Sequence, residues 1–333
     1  MLACTVNAEA RTPVTQAIVI AHRGASGERP EHTLAAYELA IEQGADFIEP
    51  DLVPTRDGHL VARHENEIGG TTDVAQHPEF AARRATRTID GSQVTGWFTE
   101  DFTLAELKML RARERLPQLR TGNTRYDGQF AIPTLAEIIA LAKRRSAETG
   151  RTIGIYPETK HPTYFAGIGL PTDARLVAEL KRAGWDRADA PVFIQSFEVA
   201  NLRRLKRMTR VRLIQLLANT GAPADGAQPS YAAMTTPAGL RAVAAYAYGI
   251  GPDKAMLWTD GRATPLVADA HRAGLKVHPW TYRAEEPFLA QDHKGKPGRE
   301  GLRAEIRAAL GQGVDGVFTD FPLTGVQVRD GAP

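Results

Sequence analysis

A chain of 333 residues with 43% apolar and 24% charged side chains has the make-up of a folded protein, not of a disordered or fibrous one, and is long enough for one large α/β barrel or two ordinary domains. Lys+Arg 41 against Asp+Glu 39 leaves a formal charge of +2, too small and too evenly spread for a nucleic-acid footprint. No stretch approaches the roughly 18 uninterrupted apolar residues of a spanning helix, so no integral membrane contact is expected, and a single cysteine, Cys4, excludes an intrachain disulfide framework and a thiolate-rich zinc site.

Residues 1–16, ending at Gln16, show no amphipathic period, and Ala8-Glu9-Ala10 has the small-x-small form of a secretory cleavage site without an apolar run before it. They read as a flexible N-terminus or a signal-peptide remnant. Cleavage after Ala10 would remove Cys4 and leave a thiol-free chain suited to an oxidising compartment, periplasmic or secreted. From residue 17 onward short aliphatic runs alternate with helical patterns, the signature of βαβ units on a parallel sheet. The runs are Ala17 to Ala21, Asp46 to Leu52, Ile153 to Glu158, Val192 to Ser196, Val211 to Leu217, Ala255 to Trp258, Leu275 to Thr281 and Val314 to Thr319. Thr103 with Glu106 and Thr134 with Glu137 form Thr-x-x-Glu capping boxes at helix starts, and Gly44, Gly184, Gly274 and Gly313 mark helix ends. Eight strands with following helices predict a TIM (β/α)8 barrel over residues 17–330, with a doubly wound open sheet as the alternative. Residues 67–132 are too long for a βα loop. They read as a small insertion after the second barrel strand, with one helix from Leu104 to Arg113. The segment from Ala218 to Thr236 is a second, polar interruption.

Barrel enzymes carry their chemistry at the C-terminal ends of strands. Here those ends supply His22 and Arg23, Glu49 and Asp51, Glu158 and Lys160, Gln195 and Ser196, His278 and Trp280, and Asp320. Glu49 and Asp51 lie two apart on an extended chain and so face the same side. Burial of two like charges raises at least one pKa unless a cation compensates, which predicts a bound metal or an arginine partner. Glu158 would complete an all-oxygen site suited to Ca²⁺ or Mg²⁺ rather than zinc. His22 and His64 bring two imidazoles to the same mouth, while Arg23 and Lys160 add cations for an anionic substrate. Metal, acid, base and anion-binding cations together are what phosphoester hydrolysis requires. His59, His77, His161 and His293 read as ordinary turn residues. The arginine pairs and the Lys143-Arg144-Arg145 run read as solvated helix faces, and Trp185, Tyr246 and Tyr248 as packing residues.

These residues also carry a family resemblance. His22-Arg23-Gly24 through Pro30-Glu31-His32-Thr33, then Gly44 to Asp51 and His64, resembles the leading motif block of the glycerophosphodiester phosphodiesterases. The resemblance continues through Tyr156 to Pro162, Gln195 to Glu198 and Val314 to Asp320. Within the family it is most similar to exported bacterial members, including the stretch Gly96 to Thr103. It implies a TIM barrel with a small insertion, and a divalent cation held by Glu49, Asp51 and Glu158, with Ca²⁺ favoured and Mg²⁺ the alternative. It casts His22 and His64 as the acid/base pair and Arg23 and Lys160 as phosphate ligands. The substrate would be a small glycerophosphodiester, cleaved to sn-glycerol 3-phosphate and an alcohol such as choline or ethanolamine, with Gln195 and Trp280 placed to meet the glycerol. Two positions depart from the commonest pattern: His32 stands where Asn is frequent, and Glu65 where Asp usually follows the second histidine, which changes how His64 is oriented. A phospholipase-type activity and a non-catalytic binding protein of the same fold are the alternatives. An isologous homodimer is expected only because that is the commonest assembly.

Overall fold

The structure is a computed structural model and describes residues 16–331. The expectation of a signal-peptide remnant at residues 1–16, Cys4 included, lies outside the described residues except for Gln16. Eight parallel strands form the barrel: β1 (Ile18–His22), β2 (Phe47–Glu49, continuing as Asp51–Pro54), β3 (Gly154–Ile155, continuing as Glu158–Thr159), β4 (Phe193–Ser196), β5 (Arg212–Leu217), β6 (Gly249–Pro252), β7 (Lys276–Val277) and β8 (Gly316–Thr319). β8 pairs with β1, β1 with β2, and so on through β7. The ring closes between β7 and β8, where Asp315 N donates to Val277 O at 2.9 Å and Phe318 N to Pro279 O at 3.1 Å. β2 and β3 are each interrupted by a proline, Pro50 and Pro157, which has no N–H to give the ladder. Each proline carbonyl still accepts from the neighbouring strand, Glu158 N to Pro50 O and Gln195 N to Pro157 O, both at 2.9 Å.

The main core lies between the strands and the surrounding helices, and Ile20, Tyr156, Phe193, Ile214 and Phe318 fill the barrel interior. Both predicted capping boxes form, and all four glycines read as helix ends have positive φ. Two expectations are corrected. The sixth strand is Gly249–Pro252, not Ala255 to Trp258. Residues Lys254–Leu257 form a 3₁₀ turn, and Trp258–Thr259 pairs with Arg262–Ala263 in a small hairpin. Gly-Ile-Gly-Pro has weak strand propensity, but a Cβ on Gly249 would sit 2.7 Å from Lys276 O and one on Gly251 2.7 Å from Leu216 Cδ2. Close approach selects glycine there over β-branched residues. The helix expected from Leu104 to Arg113 ends at Leu107. Asp73 captures the chain beyond it: its side chain accepts from Arg111 N at 2.7 Å, and its own N–H reaches Arg111 O at 3.0 Å.

Residues 67–132 contain the hairpin Ala85–Ile89/Ser92–Gly96, several 3₁₀ turns and the helix Leu104–Leu107. Ile68, Val74, Phe80, Phe102, Leu107, Leu110 and Ile132 bury themselves against Val53, Val61 and Phe165 of the barrel, a second core beside the first.

Candidate active site

Strand register assembles the site. His22 stands opposite Glu49, Asp51 opposite Glu158, and Glu158 opposite Gln195. Of the nine residues singled out from the sequence, His22, Arg23, Glu49, His64, Glu158, Lys160, Gln195 and Trp280 line one cavity of about 180 Å³. Asp51 lies buried among them and salt-bridges Arg23, with Arg23 Nε 3.4 Å from Asp51 Oδ2. A larger cleft of about 680 Å³ opens beside Trp258, Tyr282 and Phe288, but none of the carboxylate cluster lines it. Among the described residues the one cluster of potential metal ligands is Glu49, Asp51 and Glu158, whose oxygens lie within 4.8 Å of one another.

The loop after β1 is wound tightly. Arg23, Gly24 and His32 all have positive φ, and a Cβ on Gly24 would lie 2.7 Å from the carbonyl carbon of Ala36. The turn aims Arg23 N at Glu49 Oε2 (2.9 Å) and its guanidinium at Glu31 Oε2 (3.1 Å). Thr33 then caps the helix Leu34–Glu42 through Ala36 N. His32 Nε2 reaches Asp51 Oδ2 at 2.9 Å, and its Nδ1 reaches Tyr37 Oη at 2.8 Å.

The three acids do not share charge equally. Burial, then Asp51 and Glu158, holds Glu49 well above the usual carboxylate range. Burial also pushes Glu158 up to about 8, against the pull of Lys160. Asp51 is the opposite case: the burial cost is overcome by Lys160 and the hydrogen bond to His32, leaving it well below the ordinary value. An all-carboxylate, buried cluster short of positive charge fits a hard divalent cation.

Both histidines are neutral. Burial first, then Arg23, lowers His22 to about 3. Burial, Arg23 and Lys160 lower His64 to about 4. His22 Nδ1 donates to Asp320 Oδ1 at 2.6 Å, and its Nε2 accepts from Arg23 Nε at 3.2 Å. His64 Nδ1 lies 2.9 Å from Glu65 Oε1, so the longer carboxylate does reach its histidine. Gln195 Nε2 donates to Glu49 Oε1 at 3.0 Å, while its Oε1 is buried without a partner. Trp280 Nε1 donates to Gly251 O at 2.7 Å, and its ring meets Phe197 edge to face.

Several contacts around the site were not read from the sequence. Asp320 also binds Arg120 and Arg283, and Arg120 comes from the insertion, reaching Ser26 O at 2.8 Å as well. Glu31 accepts from Arg115 at 2.8 Å, again from the insertion. His161, read as a bland turn residue, sits instead between Asp90 and Glu65. His278 is inside the barrel rather than at its mouth, with Nδ1 2.8 Å from Tyr156 Oη, and Tyr248, though partly exposed, packs its ring against Phe193 at 5.8 Å.

A closed α/β barrel with a carboxylate cluster, two neutral histidines and two buried cations at the C-terminal mouth defines a hydrolase-type barrel site. The family model of the glycerophosphoryl diester phosphodiesterases matches residues 22–324. A glycerophosphodiester phosphodiesterase of Arabidopsis thaliana is 38% identical over 320 residues, covering 91% of this chain and 83% of its own length. One from Haemophilus influenzae is 32% identical over 345 residues, covering 94% and 90%. The structure of an Oleispira antarctica phosphodiesterase in complex with the product sn-glycerol-3-phosphate superposes with a TM-score of 0.65 at 23% identity, covering 95% of this chain and 97% of that one. The chain belongs to the glycerophosphoryl diester phosphodiesterase family.

Proposed function

We propose that this protein hydrolyses small glycerophosphodiesters, such as glycerophosphocholine and glycerophosphoethanolamine, to sn-glycerol 3-phosphate and an alcohol. The observation that carries the reading is the convergence of the Glu49, Asp51 and Glu158 cluster, Arg23 and Lys160, and the neutral His22 and His64 on one small cavity. Glu49, Asp51 and Glu158 would hold the divalent cation, Ca²⁺ in preference to Mg²⁺, and when bound it supplies neutralisation of phosphate charge. Arg23 and Lys160 would bind the remaining phosphate oxygens. One histidine takes the proton of the nucleophile and the other returns one to the leaving alkoxide. Asp320 and Glu65 stand at Nδ1 of His22 and His64, so Nε2 is the atom that would exchange protons, on His22 once Arg23 Nε turns from it to the phosphate. Gln195 orients Glu49, and Trp280 with Phe197 forms an apolar wall for substrate carbons. The small volume of the cavity favours a glycerophosphoryl group over a diacyl lipid.

The test is release of glycerol 3-phosphate from glycerophosphocholine after chelation and re-addition of Ca²⁺ or Mg²⁺. Restored cation returns activity, Ca²⁺ more than Mg²⁺, and His22→Ala lowers kcat by about 10²–10⁴-fold. No release by folded wild-type protein with either cation would overturn the assignment.

A further inference from the structure

A line of ionised side chains joins the insertion to His64. His161 follows β3 with φ 43° and ψ 46°, a left-handed conformation that a non-glycine residue adopts only when its surroundings impose it. Its Nδ1 lies 2.6 Å from Asp90 Oδ2 and its Nε2 2.8 Å from Glu65 Oε2. A carboxylate oxygen at each ring nitrogen requires both nitrogens to donate, so the ring is an imidazolium. Burial alone would lower the His161 pKa; the bonds to Asp90 and Glu65 override it and push it up to about 9. Asp90 stands at the tip of the hairpin Ala85–Ile89/Ser92–Gly96, and Glu65 follows His64 directly. The other oxygen of Glu65 lies 2.9 Å from His64 Nδ1.

Ion pairs this close to the surface contribute little to stability, which does not account for a histidine held in a strained backbone. Their geometric effect is larger. The Glu65 side chain is about half exposed and, untied, would sample several rotamers; with one oxygen fixed by His161, the other stays on His64. We propose that Asp90, His161 and Glu65 form a positioning relay for His64, in which His161, braced by the insertion hairpin through Asp90, fixes the Glu65 carboxylate and thereby the ring orientation and tautomer of His64. The relay rests on the acid/base reading of His64 given above. Arg23, Lys160, Asp51 and Glu31 also bear on His64 electrostatically, but Glu65 is the group at its Nδ1.

His161→Ala is expected to lower kcat about 10–100-fold, as when the hydrogen-bond partner that orients a metal-ligating histidine is removed, with KM for glycerophosphocholine little changed. Asp90→Asn moves kcat in the same direction by less, and His161→Gln, which keeps a donor for Glu65, recovers part of the loss. ¹⁵N-histidine NMR supplies a readout independent of turnover: His64 is the Nδ1–H tautomer in the wild type and a mixture of tautomers in His161→Ala. Should His161→Ala fail to fold, the hairpin-tip variant Asp90→Asn carries the same two measurements. A folded variant with unchanged kcat and an unchanged His64 tautomer overturns the relay. Full activity in His64→Ala would instead remove the acid/base reading, while the tautomer measurement still decides whether the relay positions the ring.

Discussion

At the residue scale, Glu49, Asp51 and Glu158 are set apart by their neighbours more than by their chemistry. Asp51, facing Lys160 and His32, stays ionised, whereas Glu49 and Glu158 are raised, Glu158 to about 8. A carboxyl group whose folded pKa lies above its unfolded value favours the fold below the unfolded pKa, and that contribution is lost as pH rises through the folded one. For Glu158 the window runs from its ordinary 4.5 to about 8, so the cation-free protein weakens across it. At pH 7 a cation must displace the proton on Glu158 to bind. Titrating Ca²⁺ into cation-free protein at pH 7 in buffers of different ionisation enthalpy is therefore expected to give buffer-dependent heats that correspond to proton release. Heats that do not change with buffer would show that these acids are already ionised. These three residues were legible because strand periodicity and strand-end position are local signals. Arg120 and Asp320 meet across 200 residues, and Arg115 and Glu31 across 84, and nothing in the local pattern of either partner announces the other. His161 was passed over for the same reason, since its role depends on Asp90 and Glu65 arriving from elsewhere.

At the element scale, the turn between β1 and the helix Leu34–Glu42 sets where Arg23 points. Gly24 has φ 88°, and a Cβ there would lie 2.7 Å from the backbone of Ala36 and 2.8 Å from its Cβ. Gly24→Ala adds a left-handed strain of about 1–2 kcal/mol to an overpacking cost of about 1–3 kcal/mol. A loss of roughly 2–5 kcal/mol in unfolding free energy is expected by denaturant titration, with activity falling further because Arg23 N shifts away from Glu49. An unchanged midpoint would mean that the turn relaxes freely. This turn was visible in the sequence as a motif, and the capping boxes were visible as Thr-x-x-Glu. The sixth strand and the end of the helix at Leu107 were not. In the first, interior crowding chose glycine over strand-forming residues. In the second, Asp73 outcompeted continuation of the helix.

At the scale of the whole molecule, the insertion shares a core with the barrel and reaches into the site. Phe102 is fully buried; its ring meets Phe80 edge to face at 5.0 Å, and its carbonyl accepts from Arg56 N at 2.8 Å. It belongs to the cluster in which Val53 and Val61, from β2 and the strand Leu60–Ala62 paired with it, pack against the insertion's apolar residues. Arg115 and Arg120 add charged ties to Glu31 and Asp320. A barrel stripped of residues 67–132 would expose that apolar face and leave the acid partner of His22 short of one arginine. We therefore propose that barrel and insertion unfold as one cooperative unit. Phe102→Ala removes about 3–5 kcal/mol, and at roughly 2–4 °C per kcal/mol for chains of somewhat smaller size the midpoint should fall by at most about 6–20 °C. The decisive observation is the shape of the transition in calorimetry. A single peak displaced as a whole, with activity lost at the same temperature, fits a shared core. Two resolved peaks, the upper one unmoved by Phe102→Ala, would show that the barrel stands without its insertion and that the charged ties are the only link between them.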